Sequence, residues 1–301
     1  MYARCLLHRL QLCRRMTTST QDQNATLIVE QLGAVTTFGI NRPEKRNCIN
    51  QTTAHALKVA IKNFEDDETS LVGVIHGIGG NFCAGYDLKE LAESDISVLN
   101  IQEDEEETGF MGPTRCFIKK PLIAAVSGYA VAGGMELALM CDLRVVEETA
   151  IMGVYCRRFG VPLMDGGTVR LTAMVGLSRA MDLILTGRSL SAKEAFEYGI
   201  ANRIVACGTS LGQAINLAMS LTKFPQKCLL ADRKSTYNAA FATTMDQLLK
   251  YEKEESKHII LEESVQGAKK FVSGIGRHGT SYNLTEKILP DWEKSLITEN
   301  K

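Results

Sequence analysis

The stretch KPLIAAVSGYAVAGGMELALMCDLR, Lys120 to Arg144, sets the terms for the whole chain. Leu122 to Val126 is a short apolar run behind a proline, which predicts a buried strand. Ser127-Gly128 breaks it. Gly133-Gly134 lack a Cβ and let the backbone approach a neighbour or a ligand closely. Met135 to Cys141 is almost wholly apolar and predicts a short buried helix. Glu136 stands out in its first turn, because a carboxylate is almost never fully buried without a partner. Free N–H groups at a helix start can bind an oxyanion, and a carboxylate a few residues on can exchange protons with the same ligand. On spacing alone, Glu136 serving only its helix dipole is an equal alternative.

Composition narrows the class. The chain has 301 residues, a formal net charge of −1, 45% hydrophobic and 23% charged residues. That is an ordinary globular balance. It argues against a nucleic-acid binder driven by bulk charge, and no apolar run is long enough to span a bilayer. The nine cysteines form no Cys-x-x-Cys pair, so neither a metal site nor a disulfide framework is expected. The first twenty residues differ from the rest. Arg4, Arg9, Arg14 and Arg15 occur with Thr17, Thr18, Ser19 and Thr20, and no acid precedes Asp22. Residues 1–20 therefore read as a mitochondrial transit peptide, which implies the matrix.

Other segments are local in their logic. Thr26–Glu30 and Ala34–Ile40 predict a hairpin turning at Gly33. Asn50 is placed to cap a helix from Gln51 to Phe64, with Ala54, Leu57, Ile61 and Phe64 on one face. His55 lies beside that face and reads as structural. Leu71–His76 is a buried strand, followed by the glycine-rich turn GIGGNFCAGYDLKEL, Gly77 to Leu91. The acidic run Glu103–Glu107 reads as a solvated face. Ser178 starts a helix ending at Gly187, and Ser191-x-x-Glu194 is a capping box for one ending at Gly199. Ile200–Val205 is a last strand, and the chain reads as mostly helical from Ser210.

The Lys120–Arg144 stretch resembles the signature Pro-x-Ile-Ala-Ala-x-x-Gly-x-Ala-x-Gly-Gly-Gly-x-Glu-Leu-Ala-x-x-Cys-Asp of the crotonase (enoyl-CoA hydratase/isomerase) superfamily. Only the first glycine of the triple differs, as Ala132. Asn41-Arg42-Pro43 to Ile49, Phe82 to Leu88 and Leu185 to Ala195 are similar to further family segments. The resemblance implies an α/β crotonase (ClpP/crotonase-type) fold of repeated ββα units, with the core over residues 21–205. It implies a helical region over 206–301 that builds a homotrimer or a hexamer, with Lys269-Lys270 to His278 near a neighbour's coenzyme A. It implies an acyl-CoA thioester as substrate and no cofactor beyond that coenzyme A.

The resemblance also assigns the site. Tyr86 and Gly133 would supply the two N–H donors of an oxyanion hole. Ala84, Gly85, Asp87, Leu88, Gly134 and Cys156 would meet the substrate, and Lys45 and Arg46 its phosphates. Glu136 matches a catalytic glutamate. The family's second catalytic glutamate falls at Cys156, a poor proton carrier because a thiol's reference pKa is near 8.5. Asp165, nine residues on, is expected either to replace it or to cap the following helix. Arg157 and Arg158 are expected to pair with Asp165, Glu136 or a substrate carboxylate. Hydration of a trans-2-enoyl-CoA is the leading expectation. Isomerisation, decarboxylation or thioester hydrolysis through the same enolate, and a non-catalytic acyl-CoA binder, are the alternatives.

Overall fold

The computed structural model describes residues 25–93 and 109–241. The transit-peptide reading of residues 1–20, the acidic run Glu103–Glu107 and the segment Lys269–His278 lie outside these residues.

The hairpin forms as expected from β1 (Leu27–Leu32) and β2 (Val35–Ile40), turning at Gly33 with φ +63°. Helix α1 (Gln51–Asp66) is capped by Asn50, whose Oδ1 accepts from Thr53 N at 3.1 Å. It buries Ala54, Leu57, Ile61 and Phe64, the stripe its 3.6-residue period dictates. Then come β3 (Val72–Gly77), helix α2 (Leu88–Glu93), β4 (Leu122–Val126) and β5 (Tyr129–Val131). Helix α3 (Gly133–Met140) and strands β6 (Leu143–Glu147) and β7 (Ile151–Gly153) follow. Last are helix α4 (Gly167–Thr186), β8 (Leu190–Ser191), α5 (Ala192–Glu197), β9 (Arg203–Val205), α6 (Ser210–Leu221) and α7 (Gln226–Phe241).

Six strands make one sheet in the order β1-β2-β3-β4-β6-β9, parallel except for β1 against β2. Strand β4 sits inside it, which explains its unbroken apolar run: a parallel strand covered on both faces has no polar side. Leu122, Ala124 and Val126 join the main core, while Ile123 and Ala125 pack with Ala214, Leu217 and Ala218 of α6. Helix α6 thus covers the second face of the sheet, so the helical region expected from residue 206 begins with a helix that completes the core. Strands β5, β7 and β8 form a separate sheet. Each has only two or three residues, too few for a readable alternation, and the sequence reading missed all three.

Two devices aim α3. Gly134 packs so tightly on the Cys83 carbonyl that a Cβ there would overlap it. At the other end, buried Arg144 donates to the carbonyls of Cys141 and Ile200, both at 2.5 Å. A cation that satisfies the orphan carbonyls at a helix C-terminus also complements its dipole. The expected helix at Ser178 is the second half of α4, which breaks at Gly176 (φ +76°). Ser191 Oγ accepts from Glu194 N at 3.2 Å as expected, but the Glu194 carboxylate turns to Arg188 instead of closing the box.

Candidate active site

A cavity of about 740 Å³ opens where the two sheets meet α3. It is of the size that holds a small organic ligand. Its apolar wall includes Leu88, Leu91, Phe110, Met111, Val131, Val161 and Pro162, and Glu136, Asp165, Cys156, Arg46 and Arg158 supply polar groups.

Helix α3 starts at Gly133, so the Gly133 N–H is one of the unsatisfied amides of a helix N-terminus. Tyr86 lies in a parallel bridge with Ile49, formed by Ile49 N to Gly85 O (2.8 Å) and Asp87 N to Ile49 O (2.8 Å). That pattern leaves the Tyr86 N–H on the side away from Ile49. The loops meet at Gly85, where an added Cβ would come within 3.1 Å of Gly133 N. Two backbone donors therefore border one cavity, the arrangement that stabilises a developing oxyanion. The Tyr86 ring also lines the cavity. It packs edge-on to Phe110 at 5.6 Å, and its hydroxyl donates to Glu90 at 2.7 Å.

Between the loops Ala132 adopts φ +53°, ψ −128°, a conformation almost confined to glycine. Here the chain departs from the glycine triple and holds an alanine in strained backbone.

Glu136 is 3% exposed. Its Oε1 accepts from Asp165 N (3.0 Å) and Gly167 N (2.9 Å). Among the described residues no buried side-chain oxygen lacks a partner, and no hydrogen bond reaches Oε2, so Oε2 faces the cavity. Burial, followed by the negative Asp165, pushes the Glu136 carboxyl up to about 7, against the pull of its two N–H donors and Arg170. A group poised there can hold or release a proton near neutral pH.

Asp165 is 4% exposed. Its Oδ1 accepts from Met111 N (2.9 Å) and, through a very short bond, from the Thr114 hydroxyl. By the same reasoning Oδ2 faces the cavity. Burial raises its pKa despite these donors. The helix-cap alternative does not hold: α4 begins at Gly167 behind Gly166, with no side-chain cap bond. The expected pairing of Arg157 and Arg158 with Asp165 or Glu136 does not form either. Arg157 donates to Ile184 O, and Arg158 donates to Gly187 O. Arg170, unforeseen, laces the site instead, with Nη1 on Asp165 O (2.9 Å) and Nη2 on Thr114 O (2.6 Å).

Cys156 lines the cavity. Burial, then the Glu136 charge, raises its thiol pKa, so it stays neutral. A neutral thiol is no substitute for a carboxylate base.

Ala84, Leu88, Arg46, Tyr86, Gly133 and Cys156 line the cavity as expected. Four other expected residues do not. Gly85 and Gly134 act through close backbone packing. The Asp87 carboxylate is taken by Arg42 at 2.8 Å and Lys45 at 3.2 Å. Burial alone would raise its pKa, but these cations hold it down at about 2. Lys45 shares that carboxylate with its side chain 44% exposed.

Comparison with known proteins agrees with this geometry. The enoyl-CoA hydratase/isomerase family model matches residues 30–294. The chain belongs to the enoyl-CoA hydratase/isomerase family. A probable enoyl-CoA hydratase of Rhizobium meliloti is 36% identical over 230 residues, 76% of this chain and 87% of that one. A probable mitochondrial enoyl-CoA hydratase of Dictyostelium discoideum is 32% identical over 77% of this chain and 82% of its own. A mevalonyl-coenzyme A hydratase of Aspergillus fumigatus is 30% identical over 86% and 91%. Among solved structures, an enoyl-CoA hydratase of Mycobacterium marinum superposes with a TM-score of 0.76 at 32% identity, over 86% of this chain and 99% of that one. The α/β architecture is thus the crotonase fold of this family.

Within the family frame, the residues the sequence reading missed are Phe110, Met111, Thr114 and Arg170. The Met111 thioether fills the space that a Cβ on Gly133 would take. Its only local signal was the turn-forming Gly109 to Pro113.

Proposed function

We propose that this family member is a hydro-lyase that adds water across trans-2-enoyl-CoA to give 3-hydroxyacyl-CoA. The observation that carries the reading is the pair of carboxylate oxygens, Glu136 Oε2 and Asp165 Oδ2, facing one cavity beside the Gly133 N–H. Two carboxylates this close interact as a pair and titrate together. Burial raises both above their ordinary range, Glu136 to about 7, so near neutral pH Glu136 can hold or release the proton the step needs. One member then takes a proton from water as its oxygen bonds the β-carbon. The other gives a proton to the α-carbon as the double bond is lost. The thioester carbonyl, bonded by the Tyr86 and Gly133 amides, carries the enolate charge in between. Each such proton carrier typically contributes about 10²–10⁴ in rate, and each oxyanion donor about 10²–10³.

Coenzyme A enters as part of the substrate, and no further cofactor is proposed. The Arg-rich first twenty residues, together with the relative named mitochondrial, support import into the mitochondrial matrix. Fatty-acid or branched-chain acid breakdown is the setting proposed for the reaction. A homotrimer or a pair of trimers is the proposed assembly, to be checked by light scattering. A second reading has one observation in its favour: Asp165 Oδ1 is anchored by two donors. If Asp165 only positions, Glu136 alone can move a proton between carbons, as an isomerase requires. Loss of the enoyl-thioester absorbance of crotonyl-CoA on adding the protein tests the hydratase reading. Inertness toward crotonyl-CoA together with conversion of a 3-enoyl-CoA would favour the isomerase.

A further inference from the structure

The cavity wall carries a cation that the hydration chemistry leaves idle. Arg158 Nε and Nη2 donate to the Gly187 carbonyl at 3.0 and 2.8 Å, and its guanidinium stacks 3.5 Å from the Tyr155 ring centroid. These contacts fix the plane of the fork. Nη1 makes no hydrogen bond with a described residue, and the guanidinium has no carboxylate partner among them. Arg42 pairs with Asp87, Arg188 with Asp182 and Glu194, and Arg233 with Asp142, whereas Arg144, Arg157 and Arg170 bond backbone carbonyls as Arg158 does.

Its position fits a ligand on the acyl side. Arg158 is two residues from Cys156, so their Cα atoms are at most ~7 Å apart. Cys156 in turn feels the Glu136 charge. The other cation of the wall, Arg46, lies 5.3 Å over the Tyr129 ring. Tyr129 opens β5, four residues before Gly133. A fixed guanidinium in a cavity wall gives an apolar tail nothing, whereas a carboxylate gains charge-assisted bonds in a set plane. We propose that Arg158 receives a second carboxylate on the acyl group. The preferred substrate would then be a short 2-enoyl-CoA, of roughly five or six carbons given that reach, ending in a carboxylate. The proposal rests on the hydratase reading and names its substrate class. A coenzyme A phosphate would satisfy the same fork, so the test must separate the two anions.

The test compares the unmutated protein with Arg158→Met, which keeps the apolar stem, and Arg158→Lys, which keeps the charge. The substrates are crotonyl-CoA, glutaconyl-CoA and the matching pantetheine thioesters, which lack the nucleotide phosphates. Glutaryl-CoA and butyryl-CoA serve as unreactive ligands in calorimetry. The expected result is that Arg158→Met weakens glutaryl-CoA binding and glutaconyl kcat/KM by about 10–100-fold, the value of a hydrogen bond to a charged group. The loss should persist with the pantetheine thioester, crotonyl-CoA should change far less, and Arg158→Lys should recover part of the loss. Equal losses on both acyl groups that vanish with pantetheine thioesters would assign the fork to a phosphate and overturn the proposal. No loss on either, or no preference of the unmutated protein for glutaryl-CoA over butyryl-CoA, would also overturn it, leaving Arg158 as a helix-end contact. If neither enoyl thioester is hydrated yet Arg158 still decides glutaryl-CoA binding, the carboxylate site stands and the hydratase reading falls.

Discussion

Replacing Glu136 with glutamine should make the protein more stable at pH 8 and leave it almost unchanged at pH 4.5. Unfolded, a glutamate titrates near 4.5; folded, Glu136 titrates at about 7. Between those values the folded chain holds a proton that the unfolded chain has released. Stability therefore falls as pH rises through that window, and the loss is complete above it. The interval converts to about 3 kcal/mol, at 1.36 kcal/mol per pH unit. At 3% exposure there is little solvent to screen it. Glutamine keeps an oxygen to accept from Asp165 N and Gly167 N but cannot ionise. The difference in unfolding free energy between Glu136→Gln and the unmutated protein should thus grow from near zero at pH 4.5 to about 3 kcal/mol at pH 8. Urea unfolding at matched protein concentration, repeated at half-unit steps of pH, measures it. A difference that is flat across the range, or that shrinks as pH rises, would refute the buried, proton-holding Glu136 on which the mechanism depends.

Three further outcomes are expected. Ala132→Gly should raise stability by about 1 kcal/mol, because the φ +53°, ψ −128° backbone costs an alanine more than glycine loses in the unfolded state; a lower urea midpoint would show that the strain is absent. Cys156→Ala should hold turnover within about threefold, since a neutral thiol supplies no general base; a hundredfold loss would make Cys156 a chemical participant. Asp87→Ala should lower stability by about 3 kcal/mol by leaving Arg42 as an unpaired buried cation; unchanged stability with a raised KM would return Asp87 to substrate binding.

What could be read without coordinates followed from local chemistry. The Asn50 cap, the Gly33 turn and the doubly buried Leu122–Val126 each depend on a few neighbouring residues, and each formed. The polar logic of the site did not, because its partners are far apart in sequence. Asp165 bonds Met111 and Thr114, 54 and 51 residues away. No spacing rule relates those segments, so capping remained an equal alternative. Arg157 and Arg158 were nominated by proximity in sequence, yet the turn at Tyr155–Phe159 directs them to carbonyls at the end of α4. Asp87 was nominated by motif. Its role as the anchor of Arg42 and Lys45 is equally consistent with that motif, and the motif alone cannot separate binding from scaffolding. Asn47, in the separate Asn41–Ile49 segment, also braces the scaffold, donating to Ile78 O and Asn81 O at 2.8 and 2.6 Å.

The central claim is that Glu136 and Asp165 form one proton-carrying pair, with Asp165 standing in for the glutamate missing at Cys156. Its most direct test is the rate of crotonyl-CoA hydration by the unmutated protein, Glu136→Gln, Asp165→Asn and the double variant. The account predicts that each single change costs about 10²–10⁴ in kcat and that the double variant is little worse than either, because the two groups act as a unit. Full activity of Asp165→Asn beside an inactive Glu136→Gln would contradict it.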